Sequence, residues 1–140
     1  MTESIFRIVY CSRNTLAAGT NVADLDQILA TSRRNNQAVG VTGALLYTDG
    51  LFAQTLEGDF DAVQSVFERI QADPRHDDVV VLQAETVADR IFGSWAMAQA
   101  KPQDPASAHA TLARAFVESD SRSAGALVAL LNHVVRCVPA

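Results

Sequence analysis

The amino-acid sequence predicts a single α+β domain, and three observations support this prediction. The chain has 140 residues, of which 49% are hydrophobic and 19% are charged, and this balance excludes disordered and collagen-like chains. Short runs rich in β-branched and aromatic residues alternate with segments of helical periodicity. A chain of this length also buries enough apolar surface to fold without metal or disulfide crosslinks.

The first half of the chain contains three predicted strands and one helix. Residues 5–11 alternate between two apolar faces, which is typical of a buried strand. Asn21 is placed to cap an amphipathic helix, and Gly40 stands beyond its polar end. Residues 41–47 and 51–57 form two extended runs joined by an Asp-Gly turn. Because Asp-Gly favours tight hairpins, we expect these two strands to be antiparallel neighbours.

The next segment adds a second helix and two strands. Asp59 is placed to cap a helix that closes before Pro74. Residues 79–82 form a short apolar strand, and residues 95–98 are a candidate fifth strand. The order strand, helix, strand, strand, helix, strand matches the ferredoxin-like split βαβ arrangement. We therefore expect a βαββαβ sheet with an extra strand and with both helices on one face.

The C-terminal part predicts two further helices after a proline-containing connector. Ser107 and Ser123 are placed to cap them. The second helix carries a broad apolar stripe that includes Leu127, Leu130, Leu131, Val134 and Val138. Each large apolar side chain gains about 1.5–3 kcal/mol on burial, so we expect this stripe to cover the free sheet face or a dimer interface. The sequence thus divides into residues 1–100 and a helical extension, residues 101–140.

Charge and cysteine content limit the function classes. The net charge of -5 and a pI near 5.0 give no electrostatic drive for binding nucleic acid or anionic lipid. Cys11 and Cys137 lie far apart, outside any metal-ligating motif, so we expect reduced thiols and no metal site. No leader-like or membrane-spanning apolar stretch is present, which favours a cytoplasmic protein.

Polar residues on the buried faces of the strands are the candidate functional groups. Strand alternation places Gln54 on the same face as Phe52 and Leu56, and it also places Tyr10 and Ser12 together. A buried amide that lacks a partner costs about 1–3 kcal/mol, so Gln54 needs the backbone, a side chain or a ligand as partner. An internally satisfied glutamine and a core tyrosine are the simpler interpretation of each residue alone.

Seven motifs follow one another along residues 4–98. They are IVYCSR (8–13), SRRNN (32–36), VTGALLY (41–47), FAQTLEG (52–58), DPRH (73–76), Arg90-x-Phe92 and Trp95-x-Met97. Their series resembles the BLUF family of flavin-based blue-light sensors. The resemblance implies a non-covalently bound flavin, normally FAD, although FMN and riboflavin also fit.

The resemblance assigns roles to individual residues. It implies that Tyr10 is the photochemical electron and proton donor, that Gln54 is the amide which reports on flavin N5 and the C4 carbonyl, and that Asn36 holds the pyrimidine edge of the ring. Weaker cofactor-binding candidates are Ser32, Asn35, Asp73, Arg75 and His76. The implied signalling residues are Ser12, Trp95 and Met97.

These features favour a photoreceptor without an output enzyme domain. We expect it to signal through a separate downstream protein or through altered self-association, and we expect a homo-oligomer. A flavin-dependent oxidoreductase is the first alternative, but no G-x-G-x-x-G fingerprint is present. A flavin-free interaction module of the same fold is the second. A cysteinyl-adduct sensor is disfavoured because Cys11 alternates away from Tyr10.

Overall fold

The fold is described by a computed structural model that covers residues 4–14, 22–48, 51–72, 76–93, 98–100 and 104–137. Five strands and four helices follow in the order β1 (Ile5–Asn14), α1 (Val22–Val39), β2 (Thr42–Thr48), β3 (Leu51–Gly58), α2 (Phe60–Ala72), β4 (His76–Val87), β5 (Ala98–Ala100), α3 (Pro105–Glu118) and α4 (Ser121–Cys137). The predicted α+β class is therefore confirmed.

The strands form one sheet in the order β4-β1-β3-β2-β5. β1 is antiparallel to both β3 and β4, and β2 is antiparallel to β3. β5 is the extra strand and runs parallel to β2. The first four strands thus have the predicted ferredoxin-like arrangement, and β1 and β3 lie at its centre with partners on both sides.

Three strands differ in extent from the sequence prediction. β1 continues to Asn14, and β4 has 12 residues instead of the predicted four because it pairs with β1 along that strand's full length. Backbone hydrogen bonds, which the hydrophobic pattern does not report, extend both strands. β5 begins at Ala98, where the predicted strand was to end. Residues 94–97 lie outside the described part of the chain.

The bounds of α1 and α2 agree with the predicted helices. Gly40 follows α1 with a φ of 72°, a left-handed conformation that glycine adopts without strain. At the start of α2, the backbone N–H of Val63 donates to the carbonyl oxygen of Asp59 at 2.9 Å. The predicted cap Asn21 and the hairpin residues 49–50 lie outside the described residues.

The two faces of the sheet carry separate apolar clusters. The cluster on the α2 face contains Ile8, Tyr10, Val41, Leu45, Phe52, Leu56, Val63, Val66 and Phe67. The opposite cluster joins the sheet to α3 and α4 and contains Val9, Cys11, Ala44, Leu46, Ala53, Leu82, Phe92, Leu112, Ala115, Ala124, Leu127, Leu131 and Val134. The C-terminal helices therefore cover the free face of the sheet within this chain, which decides between the two locations that the sequence left open.

The predicted caps of α3 and α4 are wrong, because each cap lies three residues earlier. Asp104 Oδ1 accepts a hydrogen bond from the backbone N–H of Ser107 at 3.2 Å, and Pro105 occupies the first turn. Asp120 Oδ1 accepts from the backbone N–H of Ser123 at 2.9 Å. The negative charge of a carboxylate also interacts favourably with the positive end of a helix. The Ser123 backbone hydrogen bond accordingly lowers the pKa of Asp120.

The backbone contact at Gly43 leaves no space for a side chain. A Cβ atom there would lie 1.9 Å from the carbonyl oxygen of Thr55 on β3. Gly43→Ala must therefore separate β2 from β3, and we expect it to cost about 3 kcal/mol of unfolding free energy. Urea unfolding measures this change. Gly125→Ala is the control, because a Cβ at this α4 position meets open space and should stabilise the helix by about 0.5–1 kcal/mol. Equal urea-unfolding midpoints for the two variants would contradict the close approach of β2 and β3 at Gly43.

The covering role of α4 predicts a second stability difference. Leu127 is fully buried between α4 and the sheet, so Leu127→Ala should cost about 2–5 kcal/mol. Val117, on α3, is 82% exposed, and Val117→Ala should change stability by less than about 0.5 kcal/mol. Thermal and urea unfolding of both variants check the comparison. If Leu127→Ala lowers the unfolding free energy no more than Val117→Ala does, α4 does not pack closely on the sheet.

Candidate functional site

A buried polar pair lies at the centre of the sheet, on the face that packs against α2. The Tyr10 hydroxyl donates a hydrogen bond to Gln54 Oε1. Tyr10 is 0% exposed and Gln54 is 3% exposed. The two residues are direct partners in the antiparallel ladder between β1 and β3, and this register brings their side chains together. The predicted buried amide thus has a phenol as one of its partners.

Aromatic side chains pack on the face of the sheet that carries this pair. The ring centroid of Phe67, on α2, lies 5.4 Å from that of Tyr10, at an interplanar angle of 56°. On the same face, Tyr47 and Phe52 have centroids 5.0 Å apart. Such tilted contacts fix ring orientation and exclude water, and a hydrogen bond in these low-dielectric surroundings is electrostatically stronger than one in water.

The other predicted polar residues of β1 and α1 occupy buried or half-buried positions. Asn36 is 1% exposed, and its backbone carbonyl accepts a hydrogen bond from the N–H of Val41 at 2.9 Å. This bond joins the end of α1 to the segment that enters β2. Ser12 is fully buried, and Ser32 and Asn35 are half-buried on α1. Asn36 is therefore the most buried of the three predicted polar residues on α1.

Several predicted residues cannot be placed. Asp73, Arg75, Trp95 and Met97 lie outside the described residues. His76 is the first residue of β4, where its backbone pairs with Asn14, but its side chain is not described. The roles of these five residues stay predictions.

Cys11 lies on the opposite face of the sheet from Tyr10. It belongs to the cluster beneath α3 and α4, and burial raises the pKa of its thiol to about 11. A protonated thiol on that face does not reach the Tyr10–Gln54 pair. The geometry therefore agrees with the alternation that argued against cysteinyl-adduct chemistry.

Sequence reasoning missed a buried ion pair on the α3/α4 face. The Arg7 Nε atom donates to Glu57 Oε2 at 2.9 Å, and an Arg7 Nη2 to Glu57 Oε2 distance of 2.8 Å completes the salt bridge. Glu57 is 0% exposed, and the two residues are ladder partners. The available signal was a charge at an inward position in each of two apolar strands. Pairing them also required the strand register, which the sequence does not supply.

The described residues were also searched for metal-binding groups and for membrane-spanning helices. They contain no group of three or more His, Cys, Asp or Glu side chains able to hold a metal ion. Among the same residues, no helix combines the length and the apolar character needed to cross a membrane.

Comparisons with known proteins agree on one family. Residues 5–98 match the sequence profile of the BLUF family, described as sensors of blue-light using FAD. Photoactivated adenylate cyclase subunit beta of Euglena gracilis is 42% identical over 78 residues, which cover 55% of this chain and 9% of that protein. Only a small part of the cyclase subunit is therefore shared.

Two solved structures match over most of their length. The dark-state structure of the BLUF protein BlrB is 30% identical, with a TM-score of 0.71 and 98% of each chain covered. The BlsA ground state is 25% identical, with a TM-score of 0.76, 91% of this chain covered and 87% of that chain. The profile match spans β1 to the start of β5 and includes both members of the Tyr10–Gln54 pair. This chain belongs to the BLUF family of flavin-binding blue-light sensors.

Proposed function

We propose that this protein is a blue-light photoreceptor in which light rearranges the hydrogen bond between Tyr10 and Gln54. The observation that carries the proposal is the direct contact of the Tyr10 hydroxyl with Gln54 Oε1 on a buried sheet face. A phenol and an amide in contact within an apolar cluster form a pair whose donors and acceptors can be exchanged. The family assignment supplies the cofactor class.

The described residues fit a bound flavin by the chemistry of their side chains. The amides of Gln54 and Asn36 each offer donors and an acceptor, and both are buried. We propose that these two residues hold the polar edge of FAD, with Ser32 and Asn35 nearby on α1. We assign the ribityl and phosphate groups to residues 73–76. When bound, flavin absorbs blue light, and its excited state is a strong one-electron oxidant.

Tyr10 can supply both an electron and a proton. Its phenol can release an electron together with the Oη proton, which lies in a hydrogen bond to Gln54 Oε1. Phenylalanine has neither an ionisable proton nor an easily oxidised ring. Tyr10 is fully buried, and this burial keeps competing water away from Oη. The proton is therefore held where Gln54 can receive it.

Gln54 is the group that stores the signal. Rotation or a change of tautomer exchanges the acceptor and donor that its amide presents to Tyr10 and to flavin. In the light state, we propose a stronger hydrogen bond to the flavin C4 carbonyl and hence absorption at longer wavelength. Because the two states differ mainly in hydrogen-bond direction, a gap of a few kcal/mol and thermal return in darkness are expected.

The output route that we propose crosses the sheet to α3 and α4. The Arg13 guanidinium lies 5.2 Å from the ring centroid of Phe116, which joins the end of β1 to α3. Ser12 precedes Arg13, and Trp95 and Met97 precede β5 in the sequence. We propose that these residues report the state of Gln54 to the helices. The helices then change contact with a separate protein or with a second copy, and the protein itself catalyses no reaction.

One spectrum tests the proposed function. The flavin-loaded protein should absorb at longer wavelength after blue illumination and should return to its original spectrum in the dark. Identical spectra before and after illumination would rule out the photoreceptor assignment.

Tyr10→Phe should retain flavin but form no stable red-shifted state, because the electron and proton donor is missing. Absorption spectroscopy before and after blue light measures the effect. Tyr47→Phe is the matched control, since Tyr47 is the chain's other tyrosine and packs on the same face against Phe52. A normal shift in Tyr10→Phe, equal to that of the control, would overturn the donor assignment.

Gln54→Leu should abolish the red shift while preserving the fold, because leucine fills the position without an amide to rearrange. The exposed Gln64 on α2 provides the control, and Gln64→Leu should show the same light-induced absorption shift as the unmodified protein. The same absorption measurement compares them. A full shift in Gln54→Leu would show that the amide does not store the signal.

A further inference from the structure

The carboxylate of Glu57 joins the sheet to the loop that follows β4. Glu57 lies three residues after Gln54 on β3, and its side chain is directed to the opposite face of the sheet. Its Oε1 accepts hydrogen bonds from the backbone N–H groups of Ile91 at 2.9 Å and Phe92 at 2.7 Å. Its Oε2 accepts from Arg7 Nε. One buried carboxylate therefore connects β1, β3 and this loop.

Further bonds hold the same loop, residues 89–92. Arg7 Nη2 donates to the carbonyl oxygen of Asp89 at 3.1 Å. Arg90 Nη1 donates to the carbonyl oxygen of Glu57 at 3.1 Å and to Thr42 Oγ1 at 2.9 Å. Phe92 is fully buried in the cluster beneath α3 and α4. The 89–92 loop is thus attached to β1, β2 and β3 at once.

The charge of the carboxylate matters to this attachment. Hydrogen bonds to an ionised acceptor are about twice as strong as neutral ones, and a buried carboxylate requires several donors to offset its lost hydration. Glu57 obtains these donors from the Arg7 guanidinium and from two backbone N–H groups. A glutamine of the same shape carries a donor at one end, so it cannot accept from both sides. An N–H donor would then face either the backbone N–H groups of Ile91 and Phe92 or the Arg7 guanidinium, which itself holds the loop at Asp89.

The 89–92 loop leads into the segment that contains Trp95 and Met97 and then into β5 beside β2. We propose that Glu57 is a positioning residue that fixes the base of this segment. A rearrangement at Gln54, on the other face of β3, then reaches β5 and the helices from a sheet to which the 89–92 loop is firmly attached. This inference rests on the proposed light response, but the attachment itself can be tested in darkness.

The first measurement is amide hydrogen exchange in the dark, on flavin-loaded protein. In Glu57→Gln, exchange at Ile91 and Phe92 should accelerate about tenfold or more, while the β1–β3 ladder stays protected. Glu85→Gln is the control because Glu85 faces Arg7 across the β1–β4 pair and its removal makes the same charge change. Glu85 accepts a hydrogen bond from Gln83 instead of from the loop, so exchange at Ile91 and Phe92 should be unchanged.

The second measurement follows Trp95, the chain's single tryptophan, by fluorescence in dark and light. Its light-induced change should fall to about half or less in Glu57→Gln and should be normal in Glu85→Gln. The flavin absorption shift should keep its full size in both variants, because Tyr10 and Gln54 lie on the other face. A role confined to stability would leave the Trp95 response intact in folded protein.

The outcomes separate the two proposals. Normal exchange at Ile91 and Phe92 in Glu57→Gln, or a full Trp95 response, overturns the positioning role. Absence of a flavin shift in the unmodified protein overturns the proposed function, and the dark exchange comparison then still decides whether Glu57 holds the loop. Should Glu57→Gln not fold, Glu57→Asp gives the same test, since it retains the charge but is one methylene too short to reach Arg7 and the backbone N–H groups of Ile91 and Phe92 together. Unchanged exchange in that variant also counts against the role.

Discussion

The hydrogen bond from Tyr10 to Gln54 is the interaction on which the proposed function depends. Two polar side chains among apolar neighbours must satisfy each other, because an unmade hydrogen bond there costs about 1–3 kcal/mol. The two central strands hold the pair in register, and the ring of Phe67 on α2 packs against the ring of Tyr10. The register and the burial thus keep this phenol and this amide in contact, which is the starting point of the proposed switch.

The two faces of β3 carry different parts of the molecule. Gln54 is on the face covered by α2, and Glu57, three residues later, is on the face covered by α3 and α4. Because adjacent strand positions alternate between faces, a strand connects a buried site on one side to helices on the other without a separate linker. The ion pair of Glu57 with Arg7 joins β3 to β1 on that second face. This arrangement is the basis of the output route proposed above, from Gln54 on one face to α3 and α4 on the other.

Hydrophobic periodicity predicted the strands and helices whose apolar residues recur every two or every 3.6 positions. It did not predict features that depend on which strands and side chains pair with each other. Alternation placed Gln54 on the buried face of its own strand and Tyr10 beside Ser12 on another strand, but only the register identifies Tyr10 and Gln54 as partners. β4 extends beyond its apolar residues because backbone pairing with β1, which leaves no hydrophobic signal, defines it. The helix caps were misassigned because serine and aspartate are both favoured caps, and the choice depends on local geometry. Likewise, Arg7 and Glu57 were visible as charges in apolar strands but not as a pair.

Light-minus-dark infrared spectroscopy of the flavin-loaded protein tests the central claim most directly, because it reports hydrogen bonding at individual carbonyl groups. If light reverses the amide of Gln54, the flavin C4 carbonyl gains a stronger hydrogen bond. Its stretching band should then move to lower frequency on illumination and return in the dark. A C4 carbonyl band that stays at the same frequency while the visible spectrum shifts would contradict the account.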